Sequence, residues 1–212
     1  MGASVTGSPC VRNLGVVFDQ HMSFSSHVDD VERRCTGVLV GLSHCRHNLP
    51  QSVLTTLVQS LVVSMIRYGI TVYGSCNQTQ TARIQKLLNF CARVISGRRK
   101  FDHISDVLRD LKWLSAQNLH VYHSLMLLRR ILTAGQPEAL YSQIVTRREV
   151  HMRETRQAQQ LHTPPIRSES GRRRFMYSSA RAFNALPSYL QKKDYACFRS
   201  ELRQHLLETQ NE

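Results

Sequence analysis

Acidic residues are scarce in this chain: 15 Asp and Glu stand against 28 Lys and Arg. Lysine is scarce too, since 23 of the basic residues are arginine. The resulting net charge of +13 favours a polyanionic partner, most often nucleic acid and less often an anionic membrane surface. Arginine suits such a partner because its planar fork contacts phosphate bidentately and stacks on rings. The six cysteines include no CxxC pair and no framework-like spacing, which excludes a disulfide scaffold. The N-terminus MGASVTGSPC lacks the apolar core of a secretory signal, so reduced thiols in a nuclear or cytoplasmic protein are expected. Met1 to Thr6 does fit a myristoylation pattern with Gly2 as acceptor, yet the nearest basic residue is Arg12 and no second membrane signal supports it. There is no glycine-rich phosphate cradle, no GxSxG elbow, no internal repeat and no heptad run.

Hydrophobic residues are not lacking. At 42% they suffice for a packed core. The longest apolar stretch, Val53 to Tyr73, carries one charge, Arg67, in 21 residues. A bilayer span needs about 20 apolar residues, so length alone would allow one. The pattern argues otherwise. Leu54, Leu57, Val58, Leu61, Val62 and Met65 recur at helical spacing, and Thr56, Ser60, Ser64 and Arg67 form a polar stripe. The stretch therefore reads as the central helix of a bundle, in which a charge at Leu61 or Met65 is expected to unfold the protein.

Along the chain, Val11 to Phe18 reads as one strand, with Gly15 the point at which it could turn. Nothing downstream offers it a partner, so the chain is expected to begin at the edge of a missing domain. A helix starts at Ser26 or His27, with Asp29, Asp30 and Glu32 in its first turns, and buries Val28, Val31, Cys35, Val38, Leu39 and Leu42. Pro50 opens the central helix. Another helix runs from Thr79 to Ser96, burying Ile84, Leu87, Leu88, Cys91 and Ile95, with Gly97 at its C′ position. Ser115 caps a helix through Leu132, closed by Gly135. Residues 146 to 160 lack an apolar face, and HTPPIRSESG at 162–171 reads as an extended linker. Phe198, Leu202 and Leu206 mark a last helix after Asp194.

Few constellations could carry chemistry. Asp29 and Asp30 are the only adjacent carboxylates, and a helix dipole accounts for acids at a helix start better than two-metal catalysis does. Cys35, His44, Cys45 and His47 are spaced C-x8-H-C-x-H, which is not the spacing of tetrahedral zinc sites, so neither metal nor cofactor is expected. No catalytic residue emerges. Basic clusters remain. Arg172, Arg173 and Arg174 precede Phe175, Met176 and Tyr177, placing guanidinium groups for phosphates beside rings that can stack on bases. Arg98, Arg99 and Lys100 follow a helix end, and Arg181 extends the second cluster. Between Thr146 and Arg181 nine arginines face three acids. Arg172–Arg174 would also make a short nuclear-localisation signal.

Several segments then resemble, in order, the region after the catalytic palm in reverse transcriptases of non-LTR (LINE-type) retrotransposons. VRNLGVVFDQHMSFSSHV is similar to the strand at the primer-grip edge and the step into the helical thumb, with Asn13, Leu14, Gly15 and Val16 at the primer-grip positions. Phe24, His27 and Val28 match the next element, Ile66-Arg67-Tyr68-Gly69 a Tyr-Gly step, and Ile84 to Asn89 an LQK-x-QN helix. Arg172 to Pro187 resembles the terminal R-x-F…R-x-WN-x-LP signature, with Phe183 where tryptophan is usual. The resemblance implies a fragment lacking fingers, palm and endonuclease, whose polymerase carboxylates would lie upstream, so Asp29-Asp30 is not that pair.

The expected fold is all-α: a thumb-like helical bundle with one short N-terminal strand and a basic linker leading to a small helical tail. Residues 1–25 would be a disordered start plus a residual palm-edge strand, 26–145 the bundle, 146–171 the linker and 172–212 the tail. The expected role is non-catalytic, non-specific binding of RNA or DNA, template–primer or element RNA, through phosphates, with no small-molecule substrate and no membrane span. The rival expectation is a degenerate or domesticated helical protein-interaction module whose basic surface is inherited.

Overall fold

A computed structural model describes residues 8–152 and 157–210; Gly2 and the other residues up to 7 lie outside it. Helices carry the fold, and among the described residues the sheet has two strands. The chain divides into two compact units, Met1–Leu111 and Lys112–Glu212. The division falls within the stretch 26–145 that reads in sequence as one bundle. No helix among the described residues is long and apolar enough to cross a membrane.

In the first unit the segment expected as one strand pairs with itself. β1 (Cys10–Asn13) and β2 (Val16–Asp19) form an antiparallel hairpin with Asn13 opposite Val16. Leu14 and Gly15 both take positive φ, 45° and 82°, which is the geometry of a two-residue turn matched to strand twist. Leu14 stands in place of the usual Asn, and this disguises the turn in sequence. The hairpin therefore needs no partner strand from elsewhere. After it, the Asp19 carboxylate accepts hydrogen bonds from the backbone N–H groups of His21, Ser23 and Phe24 and from the Ser23 hydroxyl. Burial alone would raise this carboxyl, but the bonds from Ser23, Phe24 and His21 outweigh burial and hold it below the usual range.

Helix α1 (Ser25–Cys45) follows and packs along α5 (Gln78–Ser96), with β2 against its first turns. Its buried residues are His27, Val28, Val31, Cys35, Leu39 and Leu42, five of them on the expected face. Asn77 caps α5, its side chain accepting from the Gln80 N–H at 2.9 Å, and Gly97 closes the helix at φ 71°. Ile84, Leu87, Leu88, Cys91 and Ile95 are all buried as the 3.6-residue period requires. Each such side chain stabilises the unit by roughly 1.5–3 kcal/mol.

Between them the central stretch departs from its expected face. It runs as α2 (Gln51–Val58), a π-helical turn at Gln59–Val63, α3 (Ser64–Arg67) and, after Gly69, α4 (Ile70–Tyr73). Leu54, Val58, Val62, Ile66 and Ile70 are buried, a spacing of four throughout. A regular helix would rotate such a row off its face, and the wider π turn brings it back. Leu61 consequently turns outward at 46% exposure and Met65 is half-buried, so the expectation that either lies at the heart of the core does not hold. α6 (Ser105–Asp110) completes the unit beside α5.

His27 is buried at 1% exposure beside the Tyr73 ring, 4.6 Å between centroids, and its Nδ1 accepts the Val17 N–H at 3.4 Å. Its Nε2 has no hydrogen-bond partner among the described residues. Burial pushes the imidazole below 6.5, against the attraction of Asp30 and with the help of Arg34 and Arg12. The unfolded chain takes up this proton near pH 6.5 and the folded chain only at lower pH, so stability is full above 6.5 and falls as pH drops through it. Melting of the wild type between pH 7.5 and 5.5 should decline more steeply than that of His27→Gln. Equal slopes would remove His27 as the cause.

In the second unit α7 (Ala116–Ala134) packs against α11 (Phe175–Ala185) and α13 (Tyr195–Thr209). Ser115 caps α7 and Gly135 ends it at φ 64°, both as the sequence implies. Shorter helices lie between: α8 (Glu138–Tyr141), α9 (Arg147–His151), α10 (Glu169–Arg172) and α12 (Ser188–Gln191). Part of the stretch expected as a linker is hydrogen-bonded into this unit. Thr146 bridges Leu161 antiparallel, and the His162 N–H donates to the Val145 carbonyl at 2.8 Å. Asn184 on α11 fixes this strap: its Oδ1 accepts the Leu161 N–H at 2.9 Å and its Nδ2 donates to the Leu161 carbonyl at 2.8 Å. Arg129 reaches from α7 over the Phe198 ring, 5.6 Å to its centroid, and donates to the carbonyls of Gln191 and Lys193.

Candidate nucleic-acid interface

The residues of the second unit include 16 Lys and Arg against eight Asp and Glu, a net +8, and those of the first unit 12 against seven, a net +5. The structure separates the arginines by what each already holds. On α10, Ser168 accepts the Gly171 N–H at 3.2 Å, and a side chain at Gly171 would run into Ile166 and Ser168. Only glycine permits this close approach, and beside it Arg172 donates from Nε to the Ile166 carbonyl at 3.1 Å. Arg172 has no carboxylate partner among the described residues. Arg173 pairs with Glu169 one turn back, which neutralises it. Arg174, at the N-cap of α11, is exposed and makes no side-chain hydrogen bond or ion pair among the described residues. Arg181, seven residues on, shares its side of α11 roughly 10 Å away and is also exposed and unpaired among the described residues.

Phe175 and Tyr177 are half-buried rather than displayed. They line one cavity of about 310 Å³ together with Arg174, Leu140, Ile144 and Leu161. Val145, Leu161 and His162 of the strap line it too. The expected pairing of guanidinium groups with rings is thus a walled pocket with charge at its edge, not a flat stacking surface.

In the first unit Arg98, Arg99 and Lys100 do not act alike. Arg98 holds Asp106 through both terminal nitrogens and also donates to the His103 carbonyl, so its charge is spent within the fold. Arg99 is exposed, its backbone N–H donating to Asp102 at 2.7 Å. Lys100 lies 5.6 Å from the Phe101 ring, itself 89% exposed.

Asn13 to Val16 form the hairpin tip, with Leu14 84% exposed. The tip meets the Tyr68-Gly69 step: the Tyr68 hydroxyl donates to the Leu14 carbonyl at 2.8 Å, and a Cβ at Gly69 would come within 2.9 Å of Val16. Two short signatures 54 residues apart in sequence are therefore one contact in space.

The adjacent carboxylates are accounted for by arginines rather than by the helix dipole, because they sit beyond the first turn of α1. Asp29 pairs with Arg83 at 2.7 Å, and Asp30 with Arg12, Arg33 and Arg34 at 3.2, 2.9 and 3.4 Å. Burial alone would raise the Asp30 carboxyl, and these three arginines hold it low instead. Cys35 is buried with its thiol towards the Val62 carbonyl, and burial pushes it up to about 11. Cys45 bonds instead to the carbonyls of Gly41 and Leu42. Among the described residues no three His, Cys, Asp or Glu are grouped to hold a metal ion. Sequence reasoning missed the roles of Asn184, Arg129 and Asp19, although Asn184 and Asp19 both lie inside segments that carry the resemblance.

Two curated proteins of Drosophila melanogaster are similar to this chain. The probable RNA-directed DNA polymerase from transposon X-element is 30% identical over 104 residues, covering 48% of this chain and 12% of that protein. The RNA-directed DNA polymerase from mobile element jockey is 25% identical over 104 residues, covering 48% and 11%. The aligned part thus spans about an eighth or less of these relatives. No family model and no solved structure matches. The two similarities support a reverse-transcriptase-related origin.

Proposed function

We propose that the chain corresponds to the thumb and C-terminal tail of a non-LTR retrotransposon reverse transcriptase, and that it holds nucleic acid through phosphate contacts without performing polymerisation itself. One observation carries this reading beyond the similarity: Arg172, Arg174 and Arg181 keep uncompensated charge on α11 and just before it, and Arg174 also lines an aromatic-walled cavity. Arginines that lack carboxylate partners are available to phosphates, and each phosphate contact releases counterions. Arg99 and Lys100, with the exposed Phe101, make a second and smaller set in the first unit. The carboxylates Asp29 and Asp30 contribute structure, since four arginines consume them. RNA and DNA are both suitable, because phosphate contacts carry no base information.

The test exploits the differing states of adjacent arginines. Arg172→Ala with Arg174→Ala should weaken binding to single-stranded RNA or DNA and lower the slope of log affinity against log salt by roughly 1.4. Arg173→Ala, which removes a cation already paired with Glu169, should change little. Filter binding at several salt concentrations reads both. If the double variant binds like the wild type, the cluster is inherited surface and the protein-interaction reading takes its place.

A further inference from the structure

The cavity beside Arg174 has a composition that the phosphate contacts do not use. Its volume is about 310 Å³, it is partly open to solvent, and its walls are apolar except for Gln143, His162, Arg174 and Tyr177. No carboxylate lines it. A volume near the lower end for small-molecule pockets admits one flat ring system and excludes a duplex. Apolar side chains and two aromatic rings favour a planar, weakly hydrated group, and the exposed guanidinium at the edge favours an anion attached to that group. A base joined to its phosphate combines these two requirements.

We infer that the cleft formed by α8, the strap at Val145 and Leu161, and the first turn of α11 takes an unstacked base of a single strand, with that nucleotide's phosphate on Arg174. The base lies against Phe175 and Tyr177, with Ile144 opposite. The strap sets the width of the cleft, since Asn184 fixes Leu161 through two hydrogen bonds. This inference rests on the proposed function, because it presupposes that a strand is held at Arg172 and Arg174. It adds a contribution independent of salt, whereas phosphate contacts are salt-dependent.

The experiment compares oligonucleotides with equal numbers of phosphates, using the full chain. A single-stranded 12-mer and an abasic 12-mer are titrated by fluorescence anisotropy at high salt. The base-bearing strand should bind about tenfold more tightly, the scale of one base stacked on aromatic side chains. Ile144→Trp, which fills the cavity and leaves every arginine in place, should erase that preference while abasic binding persists. Leu140→Trp fills it from α8 and replaces the first variant if circular dichroism shows that one unfolded. Equal binding of the two wild-type ligands overturns the base pocket and leaves the phosphate reading intact. A preference that survives in a folded, cavity-filled variant also overturns it, because the base must then lie elsewhere. Failure to bind either strand in the same titration at low salt, where phosphate contacts are strongest, overturns the proposed function together with this inference.

Discussion

Ile66→Asp should abolish the folding transition of the first unit, while Leu61→Asp should leave it nearly intact. Ile66 is wholly buried among Val62, Ile70 and their neighbours, and Leu61, five positions earlier in the same apolar run, is 46% exposed. A carboxylate at position 66 would be sealed from water without a partner, at a cost of several kcal/mol even after the surroundings relax. Domains of this size hold only about 5–15 kcal/mol in total. At position 61 the carboxylate would reach solvent, and the loss should stay within about 1–2 kcal/mol. Thermal melts followed by circular dichroism distinguish the two. The comparison tests the π turn directly, because a regular 3.6-residue helix would keep Leu61 on the core face with Leu54 and Val58 and carry Ile66 off it. If Leu61→Asp unfolded the unit and Ile66→Asp did not, the assigned face would be the wrong one.

Asn184→Ala should cost about 2–4 kcal/mol and release the strap. The Asn184 amide satisfies both backbone groups of Leu161, which is buried, and alanine would leave a donor and an acceptor without partners. Asn184→Asp would keep one acceptor and lose the donor, so an intermediate loss is expected. Hydrogen exchange at the amides of Leu161 and His162 reads the release locally, and melting reads the cost. Because Leu161 lines the cavity, the same variant should also remove any preference for base-bearing strands. Unchanged protection at Leu161 would show that the bridge to Thr146 holds the strap unaided.

Helix ends were largely legible in sequence where a local residue decides them. Ser115 caps α7, and Gly97 and Gly135 supply the left-handed conformation that ends α5 and α7, whereas the Asn77 cap of α5 was not read. The buried face of α5 followed from its spacing alone. Gly15 was legible as a point where the chain could turn, but the two-stranded pairing was not, because Leu14 occupies a turn position where Asn or Asp would have signalled a hairpin. The face of the central stretch was misread for a different reason: the 3.6-residue template has no place for the extra residue of a π turn. The strap depends on an asparagine 23 residues away and leaves no local trace. Among the candidate site residues, the cluster at 172–177 was visible as composition. The fates of the individual arginines were not, because a count cannot distinguish Arg173, paired with Glu169, from Arg174, which has no ion pair among the described residues.

The central claim is that this chain holds nucleic acid by its phosphates. Its most direct test is the affinity of the full wild-type chain for one single-stranded RNA, measured by filter binding from 50 to 300 mM salt. Three to five phosphate contacts from Arg99, Lys100, Arg172, Arg174 and Arg181 predict a slope of about −2 to −3.5 in log affinity against log salt. A measurable affinity with a slope near zero, or no binding at the lowest salt, would contradict it.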